Sequence, residues 1–101
     1  MRRVLVRYRV KPDRVAENEA LVRAVYEELA EQDPGGLRYG TFKLDDGVSF
    51  VHVAEHGSEN PLQGIAAFQR FQEGIRERCD EPPVVVETEL IGSYRFLGPE
   101  Q

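Results

Sequence analysis

Two histidines, His52 and His56, stand four apart in "FVHVAEH" (residues 50–56), a stretch that reads as a β-strand. Alternate residues of a strand share a face, so both imidazoles point the same way as Phe50 and Ala54. Imidazole titrates near neutrality, and burial favours its neutral, proton-accepting form. Four residues along a strand span about 13 Å, whereas zinc–nitrogen bonds are about 2 Å. The pair is therefore not expected to share a metal, and no Cys or carboxylate pair nearby completes a metal site. Tyr8 lies on a second stretch of alternating residues, on the face that carries Val4, Val6 and Val10. If these apolar sets face helices, Tyr8, His52 and His56 line one cavity. The alternative makes His52 a half-buried residue bonded to a neighbour and His56 an exposed residue at the strand's end.

The elements that must hold these side chains follow in order. Residues 3–10 alternate with period two and predict a first strand, which Pro12 ends because it cannot donate to a ladder. Asp13 is a suitable cap for a helix over residues 14–32. Val22, Val25, Tyr26 and Leu29 form its apolar face, and Glu17, Glu27, Glu28 and Glu31 surround a solvated one. "DPGG" (33–36) stops it. "LRYGTFKL" (37–44) and "VSFVHVAEH" (48–56) read as antiparallel neighbours, with Asp46-Gly47 suited to a two-residue type I′ turn.

In "SENPLQ", Asn60 can cap, Pro61 suits a first helical turn, and Gln63 can reach back to the cap. One helix is then expected to carry Leu62, Ile65, Phe68, Phe71, Ile75 and Cys79 as a core-facing stripe. Gly64 and Gly74 weaken it and suggest the close approach of another backbone. Cys79 has no base beside it in sequence and reads as core. After "EPP", residues 84–97 predict a long last strand with a bulge at Gly92.

The order β-α-β-β-α-β in 101 residues predicts one α+β domain over 1–101, ferredoxin-like, with a four-stranded antiparallel sheet and both helices on one face. The other face carries Val51, Val53, Val85, Ile91 and Leu97 by parity and needs cover, which a second copy across a two-fold axis would provide. The net charge is −5 and the basic residues form no patch, so nucleic acid is not an expected partner. No apolar run approaches the ~20 residues of a membrane span. The arginine-interrupted N-terminus does not read as a signal peptide. The single cysteine fits a cytoplasmic location. Arg38, Arg70 and Arg95 are isolated and expected to face solvent. There is neither a Gly-rich phosphate loop nor a Ser-His-Asp arrangement.

"VRYRVKP", "PGGLRYGTFKLDDGVSFVHVAEHGSENPLQ" and "GSYRF", in that order, resemble the antibiotic-biosynthesis monooxygenase family of the dimeric α/β-barrel superfamily. The resemblance covers nearly the whole chain and rests on segment order. It implies a homodimer whose two sheets form an eight-stranded barrel, with a ligand pocket between sheet and helices in each subunit. It also implies activities such as cofactor-free oxygenation of phenolic or anthrone compounds, quinol oxidation or haem degradation. Tyr8 stands where haem-degrading relatives have asparagine. "AEHGS" puts Ala54, His56 and Ser58 where many members have glutamate, tryptophan and serine. Ile65 and Arg70 stand where many have a histidine pair before the phenylalanine that Phe71 matches. These departures argue against haem degradation.

The expectation is thus a cofactor-free monooxygenase or oxidoreductase acting on a small aromatic or quinone-like compound. His52, His56 and Tyr8 are its candidate catalytic residues. Tyr39, Phe68, Phe71 and Tyr94 are candidate ligand contacts, the tyrosines able to donate to a phenolate. A non-catalytic dimeric ligand-binding or accessory domain is the alternative.

Overall fold

A computed structural model describes residues 1–96. Strand β1 (Arg2–Val10) leads through a 3-10 turn (Pro12–Arg14) into helix α1 (Val15–Gln32). Strands β2 (Leu37–Lys43) and β3 (Ser49–His56) follow, then a second 3-10 turn (Pro61–Gly64) and helices α2 (Ala66–Gln72) and α3 (Ile75–Arg78). Strand β4 (Cys79–Glu87) completes the set. The sheet order is β2-β3-β1-β4, and every neighbouring pair is antiparallel. This is the ferredoxin-like α+β arrangement that the element order predicts.

The apolar alternation of β1 decides which face is buried. Tyr8 and Val10 pack with Phe50 of β3 and with Val22, Val25, Ile65 and Phe71 in the core between sheet and helices. Helix α1 ends where Asp33 adopts φ 45° and its amide bonds to the Leu29 carbonyl. Asp tolerates this left-handed geometry better than most residues, and Pro34 cannot continue the helix.

The β2–β3 connection is a hairpin, but not of the two-residue kind. The Gly47 amide bonds to the Leu44 carbonyl at 3.0 Å, and Gly47 rather than Asp46 takes the positive φ. Asp46 instead accepts from the amides of Val48 and Ser49 and from the Ser49 hydroxyl. These three donors hold its carboxyl below the usual range.

The helix expected from Asn60 to Cys79 is broken into three pieces. Asn60 Oδ1 accepts from the Leu62 amide at 3.1 Å and caps only a 3-10 turn. Ile65 is extended, so α2 starts afresh at Ala66. Its first amides, Ala66 and Ala67, donate to the carboxylate of Glu28 on α1 at 3.1 and 2.8 Å. Glu28 therefore belongs to a helix cap, where its charge also suits the helix dipole, and not to a solvated acidic face. Gly74, at φ 69°, breaks α2 from α3. Its role is conformational: among the described residues no backbone of another segment crowds the place a side chain would take, and Arg78 Nη1 lies 4.0 Å from it.

β4 begins at Cys79 rather than residue 84 and ends at Glu87 rather than 97. Cys79 is buried in the core as a strand residue. Pro82 and Pro83 lie inside the strand, where register shifts opposite Arg7–Val10 accommodate them. β4 is an edge strand, so their missing amides cost no second ladder. The shifts set its parity. Val85 pairs with Val6 and faces the helices, while Val84 and Val86 join Leu5, Val51 and Val53 on the outer face. Ile91 lies beyond the strand and is exposed, and Leu97 lies outside the described residues. Leu90 and Phe96 share a small outer-face hollow with Arg3, Arg38 and Val53.

Candidate active site

A cleft of about 320 Å³ lies between the sheet and the 3-10 turn–α2–α3 segment. Tyr8, Tyr39, His52, Phe68 and Phe71 line it, with Val85, 60% exposed, at its rim. A second hollow of about 310 Å³ beside Tyr26, Leu29 and Pro34 shares only Tyr39 with it. The cleft is the one that holds the imidazole.

Its aromatic rings form a continuous cluster. The Tyr8 ring lies 5.5 Å from Phe50 and 5.3 Å from His52, and the His52 ring lies 5.3 Å from Phe71. Phe68 meets Tyr39 edge-on at 6.5 Å. Such rings present an apolar, polarisable wall that suits a flat aromatic ligand.

A chain of hydrogen bonds runs through this cluster. His52 Nε2 lies 2.7 Å from the Tyr8 hydroxyl, and Nδ1 lies 2.8 Å from Tyr39 and 3.0 Å from Thr41. Thr41 in turn lies 2.6 Å from the Tyr26 hydroxyl. On the other side, Asn18 Nδ2 donates to the Tyr8 hydroxyl at 3.0 Å. Arg78 Nε donates to Asn18 Oδ1 at 3.2 Å. Arg78 also donates to the carbonyls of Phe71 and Glu73, at the end of α2, and stacks over the Phe71 ring. Every buried side-chain polar atom among the described residues has a partner.

Burial sets the electrostatics. Desolvation pushes His52 from 6.5 down to about 4, so it is neutral at physiological pH. The same cause raises Tyr8 and Tyr39 far above the ordinary phenol range. All three are uncharged groups that donate and accept hydrogen bonds.

The structure brings together Tyr8, Tyr39, His52, Phe68 and Phe71. It places His56 elsewhere: the ring is buried, its Nδ1 donates to the Gly57 carbonyl at 2.8 Å, and it is not on the cleft wall. The shared strand face is real, but the cleft covers its middle, Val4, Val6 and Tyr8 of β1 with His52 and Ala54 of β3, and stops short of His56. Tyr94 is 81% exposed and likewise off the cleft wall, since β4 stops seven residues earlier, at Glu87. Among the described residues no group of three His, Cys, Asp or Glu is placed to hold a metal ion.

Sequence reasoning missed Asn18, Thr41 and Arg78. Asn18 precedes Val22, Val25 and Leu29 at spacings of four, three and four, so it sits on the buried stripe of α1. A polar residue on such a stripe is the signal that was there to find. Thr41 shares the parity of Tyr39 on β2. Arg78 carried no local signal, because its burial depends on the break at Gly74.

The fold and cleft define a ferredoxin-like α+β domain with a cleft walled by aromatic side chains. The family model for antibiotic biosynthesis monooxygenases matches residues 1–77. The chain belongs to the antibiotic biosynthesis monooxygenase family. A solved antibiotic biosynthesis monooxygenase is 20% identical, with 91% of this chain and 100% of that one covered and a TM-score of 0.68. Rv0793 from Mycobacterium tuberculosis is 21% identical over 91% of this chain and 96% of its own, with a TM-score of 0.66. A protein of unknown function from Nitrosomonas europaea is 13% identical over 92% and 91%, also at 0.66. At these identities the likeness is one of fold. No curated protein matches the sequence. No helix of the described residues is long and apolar enough to cross a membrane.

Proposed function

We propose that the chain is a cofactor-free monooxygenase or oxidoreductase acting on a small aromatic or quinone-like compound held in the cleft. The observation that carries this reading is the convergence of His52, Tyr8 and Tyr39 on a cleft walled by Phe68 and Phe71. The aromatic walls bind a flat ring, and the hydroxyl of Tyr39 meets an oxygen on it. Stabilising a phenolate or enolate makes the ring electron-rich, and that anion delivers electrons to dioxygen. A hydroquinone becomes a quinone as dioxygen becomes hydrogen peroxide. A methylene between aromatic rings becomes a carbonyl with release of water. Both ring nitrogens of His52 are already bonded, so it acts through its tyrosines and not by direct contact with the substrate's proton.

The same reading makes the protein a cytoplasmic homodimer. Support comes from the buried single cysteine and from the outer sheet face, where Val84 and Val86 are exposed beside Leu5, Val51 and Val53. The experiment is oxygen consumption by the purified protein with a panel of hydroquinones, phenols and anthrones. Turnover that falls in Tyr39→Phe supports the enzyme.

The engagement of both His52 nitrogens also favours a second reading, a non-catalytic ligand-binding domain. Tight binding of the same panel with no oxygen uptake would select it.

A further inference from the structure

The hydrogen-bond chain has a direction, and the direction begins at Arg78. A guanidinium only donates, so the Asn18 atom that faces Arg78 Nε at 3.2 Å is the carbonyl oxygen. The amide nitrogen of Asn18 is then the group 3.0 Å from the Tyr8 hydroxyl, and it donates. Tyr8 is fully buried and has one proton to place. With Asn18 donating to its oxygen, the acceptor for that proton is His52 Nε2, 2.7 Å away. The opposite assignment would point two donors at Tyr8 and leave its own buried proton without an acceptor, a costly arrangement. Nε2 is therefore bare, the proton of neutral His52 is on Nδ1, and Nδ1 donates to Tyr39 and Thr41. Tyr39 accepts from His52 and keeps its own proton to donate.

Resting on the proposed reading of the cleft, we infer that Arg78 and Asn18 are positioning residues that hold His52 as the Nδ1–H tautomer, so that Tyr39 donates to a ligand oxygen that is a pure acceptor, a phenolate, enolate or quinone carbonyl. Each link donates towards the cleft, and aligned hydrogen bonds polarise one another. No carboxylate forms an ion pair with the Arg78 side chain among the described residues. The chain thus starts at a buried cation and presents its positive end to the ligand. A neutral phenol would add a proton where the site already supplies one.

One substitution reverses the chain without changing its shape. In Asn18→Asp the carboxylate pairs with Arg78 and accepts from Tyr8. The Tyr8 oxygen then accepts from His52 Nε2–H, and Nδ1 becomes an acceptor for Tyr39. The test is two-bond proton–nitrogen correlation of the ring-labelled protein at neutral pH, with His56→Gln used to assign the signals. Wild type is expected to show His52 protonated on Nδ1, and Asn18→Asp on Nε2. A bare Nδ1 in wild type, which needs no variant to fold, overturns the inference. So does an unchanged tautomer in Asn18→Asp.

The ligand side is read with 4-nitrophenol, whose absorbance reports its ionisation. Wild type is expected to bind the phenolate, and Asn18→Asp to bind it about tenfold more weakly, the loss of one hydrogen bond to a charged group. Binding of the neutral phenol by wild type, or no binding at all, overturns the ligand class. Neither measurement needs turnover. A protein that passes both but consumes no oxygen defeats the enzyme reading and leaves this inference standing.

Discussion

Tyr8 and His52 are diagonal neighbours on adjacent strands: Tyr8 pairs with Phe50 and Val6 with His52, yet the phenol oxygen reaches Nε2 at 2.7 Å. Directly opposite residues would be too close for this end-to-end bond, whereas the diagonal spacing leaves room for a long side chain to span it. The pair joins the buried end of the polar chain to the cleft.

Tyr8→Phe removes the oxygen that both Asn18 and His52 use. It is expected to destabilise the fold by about 1–3 kcal/mol, the usual cost of stranding buried polar partners. Urea denaturation of the two proteins measures the difference, and a change near zero would mean that the chain adds nothing to stability.

His52 gives stability a pH dependence. Its folded pKa is depressed from 6.5 to about 4, so between these values the unfolded chain binds a proton that the folded one refuses. Its contribution is complete above about 6.5 and is lost as pH falls towards 4, by roughly 3 kcal/mol at the acid end. Stability measured from pH 7.5 to 4.5 is expected to fall more steeply in wild type than in His52→Gln. Parallel curves would assign the acid loss to other groups.

Glu28→Ala is expected to cost about 1 kcal/mol, the usual price of a lost helix cap. Glu28→Gln, which keeps an acceptor oxygen, recovers part of that. Thermal melts of the three proteins check the order, and equal melting points would remove Glu28 as the cap of α2.

Val86→Lys tests the proposed dimer. Val86 is 48% exposed on the outer sheet face, and a lysine there would bury a charge between two sheets. Sedimentation should show a dimer in wild type and a monomer in the variant. A wild-type monomer at high concentration would remove the dimer from the proposal.

Strand and helix order was legible because each element carries its own period: two in Val4-Val6-Tyr8-Val10 and about 3.6 in Val22-Val25-Leu29. The same patterns put Tyr8 with Val4, Val6 and Val10, His52 with Phe50 and Ala54, and Phe68 and Phe71 on the core-facing stripe of a helix, but left open which sheet face meets the helices. Local chemistry was less reliable where two signals competed. Asn60-Pro61 does start a helical turn, but Ile65 is extended and Gly74 takes a positive φ, and these split the expected helix. Pro82-Pro83 looked like a strand's boundary and lies inside an edge strand instead; Val84 to Glu87 are strand as expected, but the strand ends there and Tyr94 lies beyond it, exposed.

The sequence by itself determined the ferredoxin-like sheet and which side chains of each strand share a face, because these follow from side-chain periodicity; that the face of Tyr8 and His52 is the one that meets the helices was left to the tertiary structure. Only the tertiary structure decided that His52 faces the cleft while His56 bonds to Gly57, since the cleft covers His52 and Ala54 in the middle of the strand face and stops short of its end. It alone brought Arg78 to Asn18 across sixty positions of chain and so gave the hydrogen bonds a direction. Contacts between residues far apart in sequence depend on how the helices break and pack, which no local pattern records.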